Sequence, residues 1–157
     1  MRCGAARSMP RRAGRISPSS WSRLPGAAQP GLGWFGRFRT EQGRIDLKKS
    51  GLFGIVSAAR ALAICHHVVE RTTPARLDGV KAALPSAESE LDMLKDEHGV
   101  FVDIILAQQL DDMGRGVAPT NTVAVDRLSA RERTRLRIAL GSVAHLNDMV
   151  RDLLFTK

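Results

Sequence analysis

"SARERTRLRIALGSVAHLNDMVRDLL", residues 129 to 154, decides the fold class. It opens as a capping box: the Ser129 hydroxyl can take the amide three residues on, and Glu132 can reach back to the Ser129 amide. Behind that start Leu136, Ala139, Leu140, Val143, Leu146, Val150, Leu153 and Leu154 recur at spacings of three and four. Such a spacing lays one sustained apolar stripe along a helix. Arg131, Arg133, Arg135 and Arg137 alternate along its first turns, and Arg133 and Arg137 share a face. A charge run of this kind reads first as a solvated face and second as a patch for an acidic ligand.

The same pattern runs upstream. Leu91, Leu94, Phe101, Val102, Ile105 and Leu106 predict a long helix reaching about Met113, with Ser86 as its N-cap and Glu88 and Glu90 in the dipole-favoured first turn. Gly99 lies inside it at about 1 kcal/mol relative to alanine, which predicts a local weakness or a close helix contact. Thr72-Thr73-Pro74 starts a short helix that Pro85 stops. Leu52, Ile55, Val56, Ala59, Leu62 and Ala63 predict a further helix over 52–69, with Arg60 off its stripe. "GRGVAPTNTVAVDRL", residues 114 to 128, reads as the long loop, and strand signal is almost absent. The expected fold is all-α, an antiparallel bundle of three long helices and one short one over residues 50–157.

Charge divides the chain in two. Residues 1–49 hold 11 Lys and Arg against 2 Asp and Glu, net +9, whereas residues 50–157 hold 13 against 14, net −1. The first 31 residues carry arginine, proline, glycine and serine with no acid, which predicts a disordered basic tail. A transit peptide and a nucleic-acid-binding arm are the rival readings of that tail, and its few aromatics argue against the second. Residues 32–49 read as a linker or junction. No apolar run approaches the roughly 20 residues of a membrane span, and a cytoplasmic protein is expected.

Cys3 and Cys65 cannot make a disulfide framework. "CHH" at 65–67 suggests a metal site, but consecutive helical residues point about 100° apart and cannot close on one ion. Asp111 and Asp112 are adjacent, a poor spacing for a metal pair. No phosphate-binding glycine loop, HExxH or nucleophile elbow occurs in the sequence, so neither catalytic nor metal residues are assigned.

Four blocks carry a resemblance: "IDLKKSGLFGIVSAARALAI" at 45–64, "QQL" at 108–110, "GVAPTN" at 116–121 and "LSARERTRLRIAL" at 128–140. In order and spacing, over about Leu32 to Phe155, they resemble the nucleotidyltransferase substrate-binding domain, a helical domain of bacterial multidomain proteins related to the protein-PII uridylyltransferases. The resemblance implies substrate-binding roles for Asp46, Lys48, Arg60, Gln109 and Asn121, and family positions at Gly51 and Pro119. The sequence departs from the family where Ala107-Gln108-Gln109 stands for Arg-His-Gln and Pro119-Thr120-Asn121 for Pro-Asp-Asn. Two potentially charged groups and one carboxylate are thereby lost.

Nucleotidyl transfer needs a Gly-Ser turn for the triphosphate and two carboxylates one residue apart on a strand for the metal ions. Glu88 and Glu90 have that spacing but stand at a helix start. The resemblance therefore implies a detached or truncated substrate-binding domain that serves nucleotidyl transfer to a protein or small acceptor in signal transduction. Its partner would be a nucleotidyltransferase catalytic domain, which would hold the Mg2+ and the nucleoside triphosphate. The alternative is a non-catalytic helical protein-interaction module, whose uncovered apolar face would favour a partner or a homo-oligomer.

Overall fold

The computed structural model describes residues 31–155, so the expectation of a disordered tail falls almost wholly outside the described residues. Among the described residues five α-helices follow one another: α1 (Phe53–Cys65), α2 (Thr73–Ala83), α3 (Glu88–Gly114), α4 (Ala130–Val143) and α5 (Leu146–Phe155). Two short strands, β1 (Arg44–Asp46) and β2 (Thr122–Ala124), pair antiparallel. The all-α class holds broadly, but the expected three long helices and one short one become five helices and a two-stranded ribbon.

The first correction concerns the last helix. Its apolar stripe continues through Val143, Leu146 and Val150, all buried, but the helix axis breaks at Ala144-His145. There the Ala144 amide turns back to the Gly141 carbonyl at 3.2 Å and the His145 amide to the Ser142 carbonyl at 3.0 Å. The break lets α4 pack on α3 while α5 packs on α1. Because the two halves keep the same apolar spacing, the break leaves no mark in the sequence periodicity.

The α1 helix ends at Cys65, short of Val69. His67 adopts a left-handed conformation with φ of 57°, and the Val68 amide reaches the Ala63 carbonyl at 2.8 Å. This six-to-one bond around a left-handed residue is a Schellman stop. "CHH" thus serves as a helix terminator. Among the described residues no group of three or more His, Cys, Asp and Glu is placed to hold a metal ion.

The α2 helix starts as expected, with the Thr72 hydroxyl accepting from the Ala75 amide at 3.3 Å. Ser86, expected to cap α3, does not: Pro85–Ala87 forms a separate tight turn that feeds α3 from Ala87, with no side-chain cap. Gly99 does not break α3, and a methyl group built there would meet nothing within 4 Å, so no close helix contact exists. Gly51 is the opposite case, since a Cβ there would strike the Phe101 ring. The backbone widens at this point, with the Phe53 amide reaching the Lys48 carbonyl five residues back.

The ribbon corrects the reading of 114–128 as loop. Ile45 pairs with Val123, and both face the core at 2% and 0% exposure. Thr122, Val123 and Val125 supply the β-branched residues a strand prefers. The core itself gathers Leu47, Ile55, Leu62, Leu77, Leu91, Leu94, Phe101 and Leu136. Residues 32–49, read as a linker or junction, contribute Ile45 and Leu47 to that core. Among the described residues no helix is long and apolar enough to cross a membrane.

Candidate functional site

The ribbon has two ends, and polar groups collect at both. At the Asp46 end the Leu47 amide donates to the Asn121 carbonyl at 3.2 Å, extending the ladder past Asp46 and Thr122. Gln109, late in α3, donates from Nε2 to the Thr120 carbonyl at 3.1 Å. Those two bonds draw the three chain segments that carry Asp46 and Lys48, Gln109, and Asn121 together at this end.

Asp46 is partly committed: its Oδ1 accepts from the Lys49 amide at 3.0 Å and its Oδ2 lies 3.5 Å from Lys49 Nζ. That geometry caps the start of the helical segment, the structural role a short carboxylate plays before a helix. Lys48 is exposed and has no ion-pair or hydrogen-bond partner for its side chain among the described residues. Arg60 is exposed seven residues into α1, about 10 Å along the axis from Phe53. No hydrogen bond or ion pair joins it to the other four among the described residues.

Behind this face lies a buried polar network that sequence reasoning missed. Arg44 Nη2 donates to Asp112 Oδ2 at 3.0 Å and to the Thr122 carbonyl at 3.0 Å, while its Nε donates to Thr122 Oγ1 at 3.0 Å. Gln108 donates to Asp112 Oδ1 at 2.8 Å and accepts from the Ala124 amide at 3.0 Å. Asp112 and Gln108 are 2% and 7% exposed, so this network fastens both strands to the end of α3. The available signal was the spacing: Gln108 and Asp112 are one helical turn apart on a single face. Asp111 is turned outward, holding Arg115 and Arg127, each at 2.9 Å.

At the other end of the ribbon an open groove of about 640 Å³ is lined by Arg37, Phe38, Arg44, Arg127, Arg133 and Arg137, with Thr40, Gln42 and Asp126 among its remaining walls. Arg133 and Arg137 are the two α4 arginines whose spacing places them on one face. Arg133 Nε donates to the Leu128 carbonyl at 2.9 Å, and Arg137 Nε to the Gly36 carbonyl at 3.2 Å. Arg137 also lies over the Phe38 ring, 5.3 Å from its centroid.

The family described as "Putative nucleotidyltransferase substrate binding domain" matches the chain over residues 25–153. No curated protein and no solved structure matches it.

Proposed function

The chain belongs to that nucleotidyltransferase substrate-binding family, and from this we propose that it holds the acceptor for a nucleotidyl transfer carried out with a separate catalytic part. One observation supports the reading above others: Asp46, Lys48, Gln109 and Asn121, distant in sequence, gather at one end of the ribbon through the Leu47–Asn121 and Gln109–Thr120 hydrogen bonds. Lys48 is the free cation of that set and would neutralise a phosphate or carboxylate on the acceptor. Asn121 and Gln109 would orient it by hydrogen bonding, and Asp46 would fix the backbone on which Lys48 stands. Arg60 would act at the periphery, reached only by an acceptor of protein size.

Among the described residues neither strand carries two carboxylates one residue apart, and the catalytic part would supply the Mg2+ site and the nucleoside triphosphate. The test joins or mixes such a catalytic segment with this chain and follows transfer of labelled nucleotide to candidate proteins and small acceptors. Transfer that depends on the chain and drops in Lys48→Ala supports the role. Transfer indifferent to both rejects it.

A second reading, a helical protein-interaction module, is favoured by one feature. Val102, Leu106, Leu110 and Met113 leave an apolar strip along α3 exposed at 38%, 52%, 60% and 61%. Such a strip on the outer side of a helix whose other side packs into the core suits contact with another protein surface. Crosslinking from residue 106 into the catalytic segment would unite the two readings, whereas capture of unrelated proteins alone would favour the second.

A further inference from the structure

We propose that the groove between α4, the ribbon and the 31–39 hairpin binds a nucleoside polyphosphate, its phosphates on Arg37, Arg133 and Arg137 and its base against the exposed Trp34–Phe35 turn. The charge supports the anion. Residues 31–155 carry 17 Lys and Arg against 16 Asp and Glu, so the domain is close to neutral. The groove nonetheless gathers five arginines against one aspartate, Asp126. Asp112 answers Arg44, and Asp111 is shared between Arg127 and Arg115. No carboxylate lies in ion-pair range of Arg37, Arg133 or Arg137 among the described residues.

Two of these three are also held in place. Arg133 and Arg137 are each anchored through Nε to a backbone carbonyl, and Arg137 also rests on the Phe38 ring, which leaves their outer guanidinium nitrogens without a hydrogen-bond partner among the described residues. A fork fixed at its stem and free at its tips is suited to bidentate phosphate recognition, because little side-chain freedom remains to be lost on binding. The groove volume falls in the range of roughly 300–1,000 Å³ typical of small-molecule sites.

The aromatic turn supports the base. Leu32 bridges Phe38, the Gly33 amide donates to the Arg37 carbonyl at 2.7 Å, and between them Trp34 and Phe35 stand 85% and 92% exposed. Phe35 holds a left-handed φ of 64°, which a bulky residue rarely adopts. The Gly36 carbonyl is the group that receives Arg137, so the turn is fastened at the rim of the arginine groove. Two exposed rings beside unneutralised guanidinium groups offer stacking and phosphate binding together. A long polyanion would need a basic track across the surface, and the near-neutral domain outside this groove does not provide one.

The test reads binding directly, so it can fail or succeed independently of acceptor transfer. The full chain carrying Trp21→Phe, which leaves Trp34 as its one tryptophan, is titrated with ATP, inorganic triphosphate, adenosine and a ten-nucleotide oligouridylate, by fluorescence and calorimetry. ATP and triphosphate are expected to bind, with ATP quenching Trp34. Arg37→Glu and Arg133→Gln should each weaken both by roughly tenfold, the value of one charge-assisted contact. Trp34→Ala, examined by calorimetry in the otherwise native chain, should weaken ATP but not triphosphate.

Arg37 is exposed and unpartnered among the described residues, so its variant should retain the fold, and circular dichroism checks this. Absence of both anions at millimolar concentration overturns the proposal. So does undiminished binding in the Arg37→Glu, Arg133→Gln double variant, which would assign the anion to the basic head. Triphosphate binding with no added contribution from the ring overturns the nucleotide assignment, and oligonucleotide binding far tighter than ATP replaces it with a nucleic-acid surface.

Discussion

Arg44 and Asp112 meet at 3.0 Å across 68 residues of chain, the arginine side chain 32% exposed and the aspartate 3%. Removing one partner of a buried pair leaves the other without compensation, which is far more damaging than the net worth of the pair. Arg44→Ala strands Asp112 with Gln108 as its one remaining donor among the described residues, and should destabilise the domain by about 2–4 kcal/mol, below the upper range because Arg44 is partly solvated. Urea unfolding checks this, and Arg44→Met with Asp112→Leu together should lose less than the sum of the two single changes.

Glu97 is the strained counterpart. It is 5% exposed, neither carboxylate oxygen has a hydrogen-bond donor among the described residues, and the nearby Ser142 hydroxyl donates instead to the Ile138 carbonyl at 3.2 Å. Burial, foremost, and the neighbouring Asp96 charge raise its pKa above the ordinary carboxylate value. The stabilising effect of protonation is therefore complete below the unfolded pKa and is lost as pH rises through the folded one. Glu97→Gln should flatten that part of the pH–stability profile and raise stability at pH 7 by about 1 kcal/mol. Thermal melts followed upward in pH from the ordinary carboxylate range would show it.

Ser129 and Glu132 give the opposite sign. The Glu132 amide donates to Ser129 Oγ at 3.2 Å and the Ser129 amide to Glu132 Oε2 at 2.8 Å, completing the expected capping box. The Ser129 hydroxyl first, then its amide, hold the Glu132 carboxyl below its ordinary value. That contribution is present above the unfolded pKa and fades as pH falls through the folded one. Ser129→Ala should lose roughly 1 kcal/mol at neutral pH and less in acid, measured by denaturant midpoints at the two pH values.

Gly99 and Gly51, both in helical backbone, should respond in opposite directions. Gly99→Ala meets open space in a continuous helix and should stabilise by about 1 kcal/mol. Gly51→Ala drives a methyl into the Phe101 ring and should destabilise by about 1–3 kcal/mol. Melting temperatures of the pair provide the comparison.

Lys48→Ala should leave the melt unchanged, because the side chain is exposed and unpartnered among the described residues. In the reconstituted transfer assay it should reduce transfer to an acidic acceptor by roughly tenfold, the value of one lost charge-assisted contact.

Two helix starts were legible because they rest on local chemistry: Thr72 and Ser129 bind amides three residues away, and nothing distant is needed, whereas at α3 the Pro85 turn took the place of the expected Ser86 cap. Helix ends and breaks were not. The stop at His67 depends on an unfavoured left-handed conformation that a histidine does not announce, and the α4–α5 break keeps the apolar spacing intact. The ribbon was hidden because each strand has three residues and its partner lies far along the chain. Of the expected binding residues, Asp46, Lys48, Gln109 and Asn121 stand on segments that the Leu47–Asn121 and Gln109–Thr120 hydrogen bonds join, and no hydrogen bond or ion pair among the described residues links Arg60 to them. The Arg133–Arg137 spacing was readable, but what shares a groove with it comes from residues 37–44, which no helical periodicity connects to α4.

The hydrogen bond from Arg44 to Thr122 spans 78 residues, and the ribbon it belongs to encloses α1, α2 and α3. Closing so long a loop is entropically slow compared with winding a helix. On refolding, helical circular dichroism should therefore recover before ligand competence does, since both ends of the ribbon take shape only when its strands meet. Ligand capture is thus tied to contacts that close long stretches of chain, and a chain with all its helices but an open ribbon would be folded by spectroscopy and silent in binding.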